Sequence, residues 1–154
     1  METKTKLLIV VIAILLLIIG FMSYSNFLAQ NQIKIGETDF LMPSGYHEGS
    51  PTNLGHKNIT DGNHSVYIGE YDDNNVVGHL NNMSSYFKNR NHTTNISNFT
   101  HDGILVYKLT IKNDKTCSYY YFEKNNATYT VYTWNSNENI EEILFNLINT
   151  MQSN

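Results

Sequence analysis

The chain has 154 residues, a formal net charge of −4 and a pI near 5.8, and its 10 basic residues are scattered. That balance leaves no electrostatic footprint for nucleic acid, whose partners carry basic patches. Cys117 is the only cysteine, so an internal disulfide is excluded and the residue reads as a small, half-buried strand side chain.

Leu7 to Met22 forms an unbroken apolar run just behind Lys4 and Lys6. About 16 helical residues rise ~24 Å, and the flanking residues to Asn26 complete a bilayer span. Lys4 and Lys6 precede the run and the next basic residue is Lys34, so the positive-inside rule keeps the N-terminus in the cytoplasm. The expected order is a cytoplasmic tail at 1–6, a transmembrane helix at 7–26, a linker at 27–32 and an extracytoplasmic domain at 33–151. A cleaved signal peptide shares the basic start and is the competing reading. Phe27-Leu28-Ala29 is a poor cleavage site for it, because Phe27 is bulky where a small residue is wanted.

Ile33 to Phe40 reads as a first strand, ended by Met42-Pro43-Ser44-Gly45. A polar stretch follows to Gly55. Lys57–Thr60 and Asn63–Tyr71 then flank Asp61-Gly62, a hairpin signal because that pair accepts positive φ. Asp72-Asp73-Asn74 offers a cap to a helix bearing Val76, Leu80, Met83 and Phe87 on one stripe. Asp102-Gly103, Asn113-Asp114 and Asn125-Asn126 each read as a tight turn, giving antiparallel strands at Ile96–Thr100, Ile104–Lys112, Lys115–Lys124 and Ala127–Trp134. Ile140, Ile143, Leu144, Leu147, Ile148 and Met151 close the chain as an amphipathic helix, with Ser136 or Asn137 as its cap.

With Asn113-Asp114 as a two-residue turn, Leu109 faces Ser118, Tyr107 faces Tyr120 and Leu105 faces Phe122. One sheet face then holds Leu105, Tyr107, Leu109, Ile111, Tyr120, Phe122, Tyr129 and Val131. The other holds Tyr119, Tyr121, Tyr132 and Trp134 with threonines. Neither face is polar, so both require cover, and the two amphipathic helices supply it. The fold class expected is α+β, an antiparallel sheet with two helices packed on it behind an N-terminal transmembrane helix.

The opening strand ending in Phe40-Leu41-Met42-Pro43-Ser44-Gly45-Tyr46 is followed by a helix after the early strands. A last strand at Thr128–Trp134 then runs into the helix Ile140–Met151. This order resembles the PsbP-like fold, named for an extrinsic photosystem subunit, and covers most of residues 33 to 151. It looks most like a membrane-tethered branch of archaeal character. Members of that fold are diverse binding or assembly proteins, so the resemblance implies a binding domain and brings no catalytic residues with it.

The residues themselves hold no nucleophile elbow, zinc helix, paired-cysteine motif or phosphate loop, and the six histidines do not recur at metal-ligand spacing. No cofactor is expected. The constellation that stands out is the aromatic face Tyr119, Tyr121, Tyr132 and Trp134, expected to be a core buried under the helix Val76 to Phe87, with a binding platform for sugars or partner proteins as the alternative if the face is open. Seven Asn-x-Ser/Thr triplets begin at Asn58, Asn63, Asn82, Asn91, Asn95, Asn98 and Asn126, where chance alone gives about four. They read as glycosylation acceptors on a surface protein. The function expected is an anchored extracytoplasmic domain binding a surface protein or an envelope polymer. The alternative is a cell-envelope enzyme acting on surface glycans.

Overall fold

The computed structural model describes residues 2–112, 116–134 and 140–153, and the chain divides into two units, Met1–Gln32 and Ile33–Asn154. The first is a single helix, α1 (Glu2–Gln30), about 44 Å long by its rise and wider than the apolar run at both ends. Its segment Leu8–Asn26 is long and apolar enough to cross a membrane, and none of it is buried within the protein.

The second unit opens with a hairpin, β1 (Gln32–Ile35) and β2 (Thr38–Leu41), where one strand is expected. The break falls at Gly36, whose φ of +58° only glycine adopts freely, and Gly36-Glu37 turns the chain back on itself. A terminal strand, β10 (Gln152–Ser153), pairs antiparallel with β2 to complete a three-stranded sheet.

The main sheet has seven antiparallel strands: β3 (His47–Glu48), β4 (Lys57–Thr60), β5 (Ser65–Tyr71), β6 (Thr93–His101), β7 (Ile104–Lys112), β8 (Thr116–Lys124) and β9 (Ala127–Thr133), in spatial order 3-4-5-9-8-7-6. Two turns close as expected. His101 pairs with Ile104 across Asp102-Gly103, and Lys124 pairs with Ala127 across Asn125-Asn126, all four turn residues having positive φ. At Asp61-Gly62 the loop has four residues, since Thr60 pairs with Ser65, and the Asp61 carboxylate accepts from the Asn63 and His64 amides.

The β7–β8 register differs from expectation by one residue. Lys112 pairs with Thr116, leaving three residues in the connection, so Leu109 faces Tyr119 and Tyr107 faces Tyr121. The Asn113-Asp114 turn itself lies outside the described residues, as do Ser136 and Asn137. One residue of slip moves every β7 side chain to the opposite face. Leu109 and Ile111 therefore join Tyr119, Tyr121 and Tyr132, while Val106 joins Tyr120, Phe122, Tyr129 and Val131.

Each face has its own cover. α3 (Ile140–Thr150) buries Ile140, Ile143, Leu144, Leu147 and Ile148 against the Val106–Tyr120–Phe122 face, alongside Ile33, Ile35 and Phe40 of the small sheet. Each such side chain contributes about 1.5–3 kcal/mol of burial, which makes this the principal core. α2 (Val76–Lys88) lies on the other face with Val76 and Leu80 buried and Met83 and Phe87 partly so. Its N-cap is Asn75, one residue beyond the expected cap, whose side chain accepts from the Gly78 amide. Lys108 ties α3 to the sheet through a 2.6 Å bond to Glu141, which also accepts from the Tyr120 hydroxyl.

Candidate functional site: an aromatic pocket beside α2

Strands β8 and β9 bring Tyr119 directly opposite Tyr132, their rings stacked 4.7 Å apart at 10°. Trp134, just past the end of β9, stands nearly perpendicular to both, at 85° to Tyr119 and 83° to Tyr132. The thiol of Cys117 donates to the Trp134 carbonyl at 3.2 Å, which fixes the backbone at this corner. Tyr119 and Tyr132 are buried (2% and 3% exposed), whereas Trp134 is 51% exposed. The corner is therefore a stacked tyrosine floor with an open indole wall.

α2 covers part of this face and stops short of the rest. Met83, Tyr86 and Phe87 from its last turns, with Asn82 at the rim, complete a pocket of about 390 Å³ over Tyr119, Tyr121, Tyr132 and Trp134. All four aromatic residues singled out in the sequence thus line one cavity. That volume lies at the small end of the roughly 300–1,000 Å³ of small-molecule sites.

The remaining wall was not legible in the sequence. Gly69 pairs with Thr130 in the middle of this face, and its missing side chain leaves a gap. The His56 imidazole fills it so closely that a Cβ on Gly69 would lie 2.6 Å from the ring. From there His56 Nδ1 bonds the Tyr132 hydroxyl at 3.0 Å. Burial pushes the His56 pKa down, which favours the neutral ring. Tyr132 is pushed up to about 12, first by burial, with a hydrogen bond from Thr52 opposing and Tyr67 and Tyr71 adding to the rise. On the far side Tyr71 stacks on His79 at 3.8 Å, and His79 Nε2 bonds Asp73 at 2.9 Å.

The pocket floor carries unpaired polarity. Tyr119 Oη, Tyr121 Oη and Thr130 Oγ1 are buried and have no protein partner at bonding geometry. Burial raises both phenols above the ordinary tyrosine range, Tyr119 further lifted by Tyr132 and Tyr121, and Tyr121 by Tyr71; the Thr130 hydroxyl, near Tyr121 but outside bonding geometry, partly offsets the rise. They stay protonated donors at any physiological pH. Buried polar groups are almost always paired, and leaving one unpaired costs about 1–3 kcal/mol. Among the described residues lining the pocket there is no Asp, Glu, Lys or Arg. No group of three or more His, Cys, Asp or Glu able to hold a metal occurs among the described residues.

The sequon asparagines are spread over the domain. Asn63, Asn82, Asn91, Asn95, Asn98 and Asn126 are exposed, three of them on or beside the free edge strand β6, and Asn82 lies at the pocket rim. Asn58 on β4 is half-buried, with its side-chain oxygen sealed in.

No protein-family model matches the chain, and no curated protein matches it in sequence. Its fold does have solved counterparts. The solution structure of cyanobacterial PsbP (CyanoP) from Synechocystis sp. PCC 6803 is similar with a TM-score of 0.51 at 9% identity, over 80% of this chain and 91% of that one. A 1.50 Å crystal structure from Bacteroides thetaiotaomicron VPI-5482 is similar at 12% identity and a TM-score of 0.43, over 81% of this chain and 49% of that one. This chain therefore spans about half the length of that second protein. Likeness at such identity speaks to architecture alone. The element order, the two covered sheet faces and the CyanoP likeness together give the conclusion that this α+β chain has the PsbP-like fold.

Proposed function

We propose that the protein is a membrane-tethered, extracytoplasmic binding domain that captures its ligand in the aromatic pocket. The observation that carries this reading is the convergence of Tyr119, Tyr121, Tyr132 and Trp134 on one cavity whose floor holds buried, unpaired hydroxyls. A core built only for stability gains nothing from such hydroxyls, since phenylalanine and valine fill the same space without the desolvation cost. A binding site does gain, because a ligand supplies the missing partners.

The apolar helix α1 and the Lys4 and Lys6 that precede its span support an anchor with the N-terminus in the cytoplasm and residues 33–151 outside. A surface protein or an envelope polymer would then be within reach, and the exposed sequons would meet any glycosylating machinery of that compartment. Binding is favoured over glycan hydrolysis by the pocket's described lining, which lacks the pair of carboxylates that glycoside cleavage ordinarily requires.

Trp134 is the only tryptophan, so its emission reports on the pocket mouth alone. Full-length protein in detergent micelles, titrated with fractions of its native envelope, should show a saturable change in that emission with at least one fraction. No saturable response to any fraction would refute the pocket as the binding site.

A further inference from the structure

We infer that the pocket takes a neutral pyranose ring, laid on the exposed indole of Trp134 with its hydroxyls turned toward the polar groups of the rim and floor. This rests on the pocket being the binding site and goes further by naming the ligand class. Three observations select it. The first is shape and surface: Trp134 offers a half-exposed aromatic face at the mouth, perpendicular to the buried Tyr119–Tyr132 stack. Such a face suits the apolar C–H side of a sugar ring, which is flat, rigid and weakly hydrated.

The second is the kind of polarity present. Asn82 contributes an exposed amide at the rim and His56 an imidazole in the wall. Beneath them Tyr119, Tyr121 and Thr130 are 2%, 0% and 1% exposed, and their hydroxyls lack a protein partner. Side-chain amides, imidazoles and hydroxyls both donate and accept, which matches sugar hydroxyls that do the same. In this structure the floor oxygens are sealed from solvent. A ligand that pairs with them must turn aside a side chain of α2, and Met83, unbranched and half-buried, is the one best able to move.

The third is charge. The described lining has no Asp, Glu, Lys or Arg; burial keeps its His56 toward the neutral form, and its His79 is already bonded to Asp73. An anion would meet neither lysine nor arginine there. A quaternary cation would find aromatic faces and no lining carboxylate, and it has no acceptors or donors to offer the buried hydroxyls. An apolar ring of the same size fills the space and leaves all three hydroxyls as unpaired as they are in the free protein, so it gains none of the hydrogen bonds open to a hydroxylated ring.

The test uses unglycosylated full-length protein in micelles, with Trp134 emission as the readout. The probes are methyl glycosides of glucose, galactose, mannose and N-acetylglucosamine, short oligosaccharides of each, tetramethylammonium, and cyclohexanol as an apolar ring of similar size. At least one glycoside should give a saturable shift, and tetramethylammonium and cyclohexanol should not. A glycoside binding as well as its oligosaccharide identifies single-ring recognition, and tighter binding of the oligosaccharide identifies a polymer chain as the source. Asn82→Ala and Tyr119→Phe should each weaken binding about 5-fold, the worth of one hydrogen bond near 1 kcal/mol. Asn82 is at the exposed rim, so its variant folds whatever becomes of the other. Tighter binding of tetramethylammonium or cyclohexanol than of every glycoside would overturn the sugar assignment and leave the pocket standing. Glycoside binding indifferent to both substitutions would also overturn it. Silence from all probes would overturn the sugar assignment, and silence from every envelope fraction besides would remove the pocket reading as well.

Discussion

Tyr119→Phe deletes one oxygen from the pocket floor and leaves the ring, its stack on Tyr132 and its contact with Phe87 in place. That oxygen is buried without a protein partner, so its removal relieves a desolvation cost. Taking the lower end of the range for an unpaired group, the gain is about 1 kcal/mol. An unfolding entropy of about 2.1 cal/mol/K per residue over about 120 residues converts this to a rise in Tm of roughly 4 °C. The matched control is Tyr129→Phe on the opposite face. Its hydroxyl bonds Thr38 at 2.7 Å and Glu70 at 3.1 Å, so the same deletion should cost about 1–3 kcal/mol and lower Tm. Thermal unfolding of the full-length variants, followed by near-ultraviolet circular dichroism, separates the two. Equal losses of Tm for Tyr119→Phe and Tyr129→Phe would refute the reasoning, because the Tyr119 hydroxyl would then be satisfied in the folded protein. A gain in stability together with weaker ligand binding is the signature of a group kept for function.

Gly36→Ala should cost at least about 1 kcal/mol, since φ there is +58° and the new Cβ would fall 1.5 Å from a Glu70 carboxylate oxygen; a denaturant midpoint measures it. Gly69→Ala should expel the His56 ring from its gap and break its bond to Tyr132, costing about 1 kcal/mol and shifting the His56 ring resonances in NMR spectra. Acid should weaken the α3 contact. The bond from Lys108 holds the Glu141 pKa below its usual 4.5, so this stabilisation is fully present above pH 4.5 and is lost as pH falls through the lower folded value. Lys108→Met should shrink that acid limb in a plot of urea midpoint against pH, leaving the smaller part due to the Tyr120 hydroxyl. Glu70 works in the opposite sense. Its pKa is raised, first by burial, so the stability gained on its protonation grows as pH falls through that raised value and is complete below the usual 4.5.

The parts of the fold legible in the sequence are those written in local chemistry. Asp102-Gly103 and Asn125-Asn126 specify two-residue turns because each pair tolerates two successive positive φ angles. Val76, Leu80, Met83 and Phe87, and the stripe from Ile140 to Ile148, carry helical spacing that tertiary packing has no reason to override. The β7–β8 register depends on whether the connection holds two residues or three, and both β7 faces are apolar enough to accept either choice. Alternation therefore could not decide whether Leu105 or Val106 faces the core. The pocket divides in the same way. Its aromatic floor follows from β8 and β9, which pair across a well-specified turn. Its His56 wall follows from Gly69, a residue whose meaning exists only once β5 lies beside β9 and a loop residue distant in sequence arrives to fill the gap.

The proposed function requires α1 to be a membrane anchor and residues 33–151 to meet their ligand on its outer side. Protease treatment of intact cells expressing the full-length chain, with a C-terminal epitope followed by immunoblot, tests this most directly. The account predicts that the epitope is lost from intact cells while the chain resists carbonate extraction from their membranes. An epitope protected until the cells are lysed, or a full-length chain recovered in the soluble cytosol, would contradict it.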